Sequence, residues 1–466
     1  MIQAVRNAVT LPDLRRKLFY TLLILLIYRL VAHIPVPGAQ PDVLQAYLRQ
    51  GTGAGQFFSV LNMLSGGAVE RLSVLATGIQ SYITAQLIVQ LLQPIIPALE
   101  RLGEEGEAGQ RKLSQITHYV TIPLSMVQSY GWIAGLNVSL AQQGTAVLPN
   151  FGFGSPENIL PTVAVLLTMA AGTMFAIWLG ELISEQGIGN GISLVIFSGV
   201  ATDLPGSIRR VWVLAVYGSD GIAGTSDDGA IWMGVLLLAI FLLLMAITMF
   251  VIVVVQEGQR RIPVQYGKRV RGFKTYSMQS SHIPLRVNTA GMIPLIFAQA
   301  FLTFPGIVAS FFTGSANAGV ANFANGVIGF FGPGRSPWYI PLYFLTVVGF
   351  TYFYTDVMMQ QQDLPGALKR QGGFIPGIRP GRPTADFITS VYRRITLVGA
   401  LFLGSVAALP LVTSVIMDAV FGISTGGTGL LLITASGLII VVGTVLDTMR
   451  QLEAQLLMRH YEGFIK

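Results

Sequence analysis

Few residues in this 466-residue sequence are arranged for covalent chemistry. Gly422-Ile423-Ser424-Thr425-Gly426 matches the G-x-S-x-G pattern, in which a serine on a strand-to-helix turn attacks an acyl group. No strand pattern precedes it, and none of His33, His118, His282 and His460 stands where it would serve as the base, so the match reads as chance. Gly187-Ile188-Gly189-Asn190-Gly191 has the glycine density of a phosphate loop but lacks the strand that a dinucleotide fingerprint requires; it reads as a tight turn between two apolar runs. There is no cysteine, which excludes disulfides, thiolate zinc sites, iron–sulfur clusters and cysteine nucleophiles. Neither H-E-x-x-H nor a P-loop occurs. The expectation is no enzyme, no metal and no cofactor.

The clearest chemical pattern is cationic. Residues Gln256 to Val287 hold Arg260, Arg261, Lys268, Arg269, Arg271, Lys274 and Arg286 against the single acid Glu257. Their middle, Tyr266 to Lys274, alternates basic residues with Val270 and Phe273 between two glycines, which suits a hairpin or extended tip. A second stretch, Gln360 to Arg394, carries Lys369, Arg370, Arg379, Arg382, Arg393 and Arg394 around the stiff turn Pro376-Gly377-Ile378-Arg379-Pro380-Gly381. Basic loops orient most membrane proteins, but orientation needs only a few charges near helix ends. Loops this long and stiff suit docking to a large anionic partner, either RNA-rich or an acidic protein.

Composition says what must position these loops. The chain is 52% hydrophobic and 11% charged, with a mean hydropathy of +0.63, whereas soluble domains carry roughly 25% charged residues. Crossing a bilayer takes about 20 mainly apolar residues. Such runs fall near 18–34, 72–93, 114–136, 159–181, 192–214, 231–255, 289–312, 338–358, 391–414 and 429–449. The first follows Arg15, Arg16 and Lys17 like a secretory signal, but nine more runs follow it, so it reads as a retained anchor. With both termini cytoplasmic, 23 of the 29 Lys and Arg lie inside, and the +7 total divides into +9 inside, −3 outside and +1 for Arg29. Ten spans divide into two fives, and because five is odd a repeated second half must be inverted. The expected fold is an all-α membrane protein of ten spans. Residues 1–216 form the first half, 217–230 an acidic external hinge loop, 231–449 the second half and 450–466 a cytoplasmic tail.

The region before the second span is unusual. Phe57-Phe58-Ser59-Val60-Leu61-Asn62-Met63-Leu64-Ser65-Gly66-Gly67 is apolar but too short to cross, and suits either a re-entrant segment or an external amphipathic loop. The span itself carries Thr77, Gln80, Ser81, Thr84, Gln86, Gln90 and Gln93, too polar for full lipid contact, while Ile79 and Ile83 share one helical face. Acids and bases are absent from the span centres, which disfavours ion coupling and leaves an apolar constriction as the barrier. A small-solute transporter with inverted repeats is the rival reading; a serine hydrolase built on Ser424 is a distant third.

Several motifs together carry a resemblance. They are Ser65-Gly66-Gly67-Ala68, Gly78-Ile79-x-x-Tyr82-Ile83, Glu105-Gly106-Glu107-x-Gly109-x-Arg111-Lys112 and Gly172-Thr173-Met174-Phe175-x-x-Trp178-Leu179-Gly180-Glu181. Gly187 to Ser193, Gln259-Arg260-Arg261-Ile262-Pro263, Pro284-Leu285-x-Val287-Asn288-x-Ala290-Gly291-x-Ile293-Pro294 and Phe374-x-Pro376-Gly377-Ile378-Arg379-Pro380-Gly381 continue them. From first span to last the chain resembles the bacterial SecY family, channel subunits of the protein-conducting translocon. The resemblance implies a clamshell of two inverted five-helix halves around a pore, closed by a short re-entrant plug helix near 57–70 made of Phe57, Phe58, Leu61, Asn62, Met63, Leu64, Ser65, Gly66 and Gly67. It implies a constricting ring of Ile79, Ile83, Ile192, Ile196, Ile296 and Leu432, the last where the pattern has isoleucine and with Ile433 adjacent. A lateral gate between the second and seventh spans would carry Thr84, Gln128 and Asn288, whose hydrogen bonds, worth about 0.6 kcal/mol each, would bias it closed. Arg260, Arg261, Lys268, Arg269, Arg271, Lys274, Arg379 and Arg382 would dock the ribosome and the motor ATPase SecA, with Arg379 coupling the motor. SecE and SecG would be fellow subunits, with SecDF and YidC as further partners. Substrates would be secretory and membrane proteins with signal sequences, meeting lipid through the gate, in the bacterial plasma membrane, with no direct nucleic-acid sequence recognition.

Overall fold

The structure is a computed structural model that describes residues 11–49, 62, 65, 67–141, 145–217, 228–266, 270–271, 274–275, 280–312, 317–331, 338–362, 364–421 and 432–462. Each of the ten apolar runs contains a helix: α1 (Pro12–Val31), α3 (Gly78–Leu92), α5 (Glu107–Ala141), α6 (Pro156–Gln186), α7 (Gly191–Tyr217), α8 (Asp228–Glu257), α9 (Ile293–Ser310), α11 (Tyr339–Gln362), α13 (Arg382–Phe421) and α14 (Leu432–Glu462). Shorter helices are α2 (Pro41–Arg49), α4 (Pro97–Glu104), α10 (Ala318–Phe331) and α12 (Leu364–Gln371). Proline stands in the first turn of α1, α4, α6 and α9, where its missing N–H costs no helical bond. Among the described residues three helices are long and apolar enough to cross a bilayer unaided, and a fourth crossing is possible if α3 and α4, bent by 102° at the break between them, count as one. At 15 residues α3 is only about 22 Å long, short of a hydrocarbon core of about 30 Å.

The all-α expectation needs amending on one side of the molecule. Strand β1 (Gln259–Tyr266) pairs antiparallel with β4 (Ser280–Arg286) in the register Gln259↔Arg286, and its other edge takes β5 (Gly373–Phe374). A separate pair joins β2 (Val270–Arg271) to β3 (Lys274–Thr275). Ile262, Val264 and Leu285 from the sheet bury a small core with Leu368, Ile375, Ile388 and Val391. The two basic stretches, read in sequence as separate loops, therefore form one unit.

In the stretch expected as a cytoplasmic tail, 450–466, α14 runs on to Glu462, and Leu452 is buried with Leu14 and Ile188. Most of the expected hinge loop, 218–227, lies outside the described residues, while Tyr217 ends α7 and Asp228 begins α8. The main core draws on helices of both halves, from Ile24 and Ile83 to Phe297, Leu403 and Ile439.

Candidate functional site

The polar second span is buried rather than lipid-facing: Gly78 to Ala85 are all enclosed. Ser81 Oγ donates to Gln128 Oε1 of α5 at 2.8 Å, and Thr77 Oγ1 lies 3.0 Å from Thr173 Oγ1 of α6. Packing is close enough that a Cβ on Gly172 would fall 2.2 Å from the Val74 carbonyl oxygen. This wall fixes α3 so that Ile79 and Ile83 face inward.

Four of the expected ring residues meet there. Ile79 and Ile83 of α3, Ile196 of α7 and Ile296 of α9, each less than a tenth exposed, line one cavity of about 20 Å³ with Ala76, Thr77, Gln80, Trp132 and Ser65. That is room for about one water molecule. Among the described residues no charged side chain lines it. Ile192, one turn before Ile196, is partly buried against the same core but outside the cavity wall. Leu432 is the first residue of α14, and its side chain lies outside the described ones.

Of the segment expected to plug the pore, Asn62, Ser65 and Gly67 are described, whereas Phe57, Phe58, Leu61, Met63, Leu64 and Gly66 lie outside. Asn62 O accepts from Gly67 N–H at 2.8 Å and from Ser65 Oγ at 3.0 Å, and Asn62 Oδ1 accepts from Glu70 N–H at 2.7 Å. The tight turn so formed presents buried Ser65 to the isoleucine cavity. The chain after it is tied to the end of α1 through Val36 N–H to Leu72 O at 2.9 Å and Val74 N–H to Ile34 O at 3.0 Å.

The family model for SecY matches residues 73–449. The chain belongs to the SecY family. Protein translocase subunit SecY of Streptomyces galbus is 38% identical over 470 residues, and that of Halalkalibacterium halodurans 40% over 473, each aligned over 100% of both chains. Among solved structures, a protein-conducting channel (16% identity, TM-score 0.56) and Sec61 in a canine ribosome–channel complex from the endoplasmic reticulum (17%, 0.55) each match over 94% of this chain and 91% of theirs. At such identities the likeness is one of fold, and the fold is the helical SecY/Sec61 channel fold.

Among the described residues, Thr84, Gln128 and Asn288, the residues expected at a lateral gate between α3 and α9, bond as follows. Thr84 donates to its own helix at Gln80 O (2.9 Å), the usual satisfaction of a helical threonine. Gln128 bonds α3 on its own side, and Asn288 Nδ2 donates locally to Gly291 O at 3.0 Å. Between α5 and the end of α9 the contact is apolar. Phe311 stacks on Tyr130 with ring centroids 5.6 Å apart, beside Gly131, where a Cβ would fall 2.7 Å from the Phe311 ring. Ile307 packs with Trp132, Ile133 and Leu136.

The cationic residues divide. Arg260 and Arg261 are exposed on β1, and Arg379 and Arg382 are exposed at the turn held by Gly377 and Gly381, both at positive φ, with Thr384 Oγ1 donating to Arg379 O at 2.8 Å. Arg271 and Lys274 face each other in the β2–β3 register; their side chains, and the whole of Lys268 and Arg269, lie outside the described residues, as does Ser424. Sequence reasoning missed Trp132 and Ala76 in the cavity wall and the His118 Nε2–Glu181 Oε1 pair at 3.1 Å joining α5 to α6. No signal in either stretch marked them, because each depends on which helices become neighbours.

Proposed function

We propose that the chain is the channel subunit of a protein translocase in a bacterial plasma membrane, a passive conduit for unfolded secretory polypeptides that also releases hydrophobic segments sideways into lipid. The observation that carries this reading is the meeting of Ile79, Ile83, Ile196 and Ile296, from three helices of both halves, around a cavity that holds about one water. Branched apolar side chains seal against ions yet make no hydrogen bond to a passing chain, so passage is indifferent to its sequence. Ile192 and Leu432 complete the ring in this reading, and the turn at Asn62 to Gly67 is the inner end of a plug. The arrangement is ten spans in two inverted halves, both termini cytoplasmic, opening between α3 and α9 with α5 and α11 beside them.

Energy comes from outside. The exposed arginines of the sheet unit suit a ribosome or the motor SecA, and SecE and SecG complete the complex, with SecDF and YidC as further partners. The curated relatives carry the name of translocase subunits, and the canine Sec61 relative was solved with a ribosome, which supports the partner class. The rival transporter reading expects a buried polar or charged substrate site between the halves, whereas among the described residues no charged side chain lines the isoleucine cavity.

Ile83→Asn and Ile296→Asn replace an apolar side chain of the constriction by an amide, costing about 1–3 kcal/mol when unpaired. Both variants are expected to raise ion conductance several-fold through purified protein in planar bilayers. Conductance equal to the parent in both would remove the assigned ring.

A further inference from the structure

Helix α9 leaves the basic sheet unit after β4, and α11 returns to that unit before α12, so α10 between them sits at the far end of both. At 18 residues α9 is about 27 Å long, close to a hydrocarbon thickness of about 30 Å. The chain therefore reaches the opposite edge of the bilayer where α10 begins. The first turn of α10 is satisfied locally: Asn317 Oδ1 accepts from Gly319 N–H at 3.1 Å, and Asn317 O accepts from Ala321 N–H at 3.1 Å.

Residues three or four apart share a face of a helix, and α10 carries three such stripes. Ala321, Ala324, Ile328 and Phe331 form the side toward the protein: Ala324 is 2% exposed, Phe331 packs against the main core, and α10 lies against α9. Val320, Phe323 and Phe330, with the half-buried Val327, form a second, apolar stripe, on which Phe323 is 74% exposed. Asn322 and Asn325 are exposed on the remaining side.

Water alone does not suit the second stripe. From Val287 to Gly334 no residue is charged, whereas the outer face of a helix bathed in water is ordinarily polar and charged. The neighbouring spans expose the same kind of surface. Phe301, Phe304, Val308 and Phe312 are exposed at three- and four-residue spacing along and just beyond α9. Trp338, at the head of α11, is exposed too, and tryptophan is enriched where membrane meets water. One side on protein, one apolar side and one uncharged polar side match the three media that meet at a membrane surface.

We propose that α10 lies in the outer membrane interface, with Val320, Phe323 and Phe330 among phospholipid acyl chains and Asn322 and Asn325 toward headgroups and water. The helix brings no charge to the headgroups, so it is held there by apolar area. The proposal takes from the channel reading only that α9 and α11 span the membrane. It gives α9, one side of the proposed opening, an anchor at the lipid surface.

Because the sequence has no cysteine, a single introduced one carries a nitroxide label at one place. Phe323→Cys, Phe330→Cys and Asn325→Cys are made in the full chain, purified with its accompanying subunits and placed in liposomes of phosphatidylethanolamine and phosphatidylglycerol. Electron paramagnetic resonance reads collision of each label with oxygen, which concentrates among acyl chains, and with a water-soluble nickel chelate. The ratio of oxygen to nickel accessibility is expected to be severalfold higher at 323 and 330 than at 325. Where 323 and 330 differ, 330 decides, because that variant keeps Phe323 in place. Nickel accessibility at 330 equal to that at 325 would put the helix in water. Inaccessibility of 330 to both agents would mean that protein covers the stripe, and low nickel accessibility at 325 as well as 330 would submerge the helix. Each of these three results overturns the proposal and leaves the channel reading, which conductance tests, standing.

Discussion

Asn62 does at one residue what the apolar segment around it cannot. A buried turn needs its N–H groups satisfied locally, and the Asn62 side chain takes that of Glu70 at 2.7 Å while Ser65 Oγ takes that of Val69 at 3.3 Å. Asn62→Ala leaves the Glu70 N–H without its acceptor. Amide hydrogen exchange at Glu70 is expected to speed up about tenfold, equivalent to about 1.4 kcal/mol, while Ile133 on α5 is unchanged. Exchange at Glu70 equal to the parent's would show that the turn is held by something else. At this scale the sequence was only half legible. The four-residue spacing of Ile79 and Ile83 placed them on one helical face, but such pairs are commonly ordinary packing, and nothing local said that Ile196 and Ile296 would meet them. That came from the family motifs. Trp132, in an unremarkable apolar span, carried no signal of its place in the same wall.

Elements were legible by hydropathy wherever lipid or core demands apolar residues, and poorly where helices leave the membrane. Every apolar run holds a helix, yet α13 begins at Arg382, nine residues before its expected span, because a helix continues into water on polar residues that a hydropathy scan discards. The glycines between α6 and α7 were read as a tight turn, and the structure supplies the reason. Gly189 has φ +99°, and its N–H donates to Gln451 Oε1 of α14 at 2.9 Å. A Cβ on Gly191 would lie 1.7 Å from the Gly180 carbonyl oxygen, backbone against backbone, with no flexible side chain to yield. Gly191→Ala is therefore expected to force α6 and α7 apart at a cost of about 3 kcal/mol or more and to deplete the protein from membranes. Gly349→Ala, on an exposed face of α11 with nothing within 4 Å of the added carbon, should be neutral or stabilising by up to about 1 kcal/mol. Thermal unfolding of both variants in detergent checks the contrast; equal midpoints would refute the close approach at Gly180.

Across the whole molecule, the feature that sequence order concealed is the joining of two basic stretches about a hundred residues apart. Each read as a stiff loop, but the pairing of β5 on β1 is a long-range contact with no local signature, and a two-residue strand is below what periodicity can reveal. The consequence is that the exposed Arg260 and Arg261 of one stretch and Arg379 and Arg382 of the other are presented by a single small core. The proposed docking role and folding can therefore be tested separately by choice of residue. Arg379→Glu reverses an exposed charge on the turn and should abolish motor-driven secretion while the protein stays inserted and stable. Ile375→Asp puts an unpaired carboxylate into the shared core at a cost of about 3 kcal/mol or more, and should open both stretches together. Limited trypsin proteolysis of the purified protein in detergent distinguishes the two variants. Arg379→Glu should keep the parent's tryptic pattern, because Pro380 already blocks cleavage after residue 379, whereas Ile375→Asp should gain cuts near both Arg261 and Arg370. New cuts confined to 360–394 would mean that the two stretches fold independently, and the arginines of β1 would then have to be treated as a dock of their own.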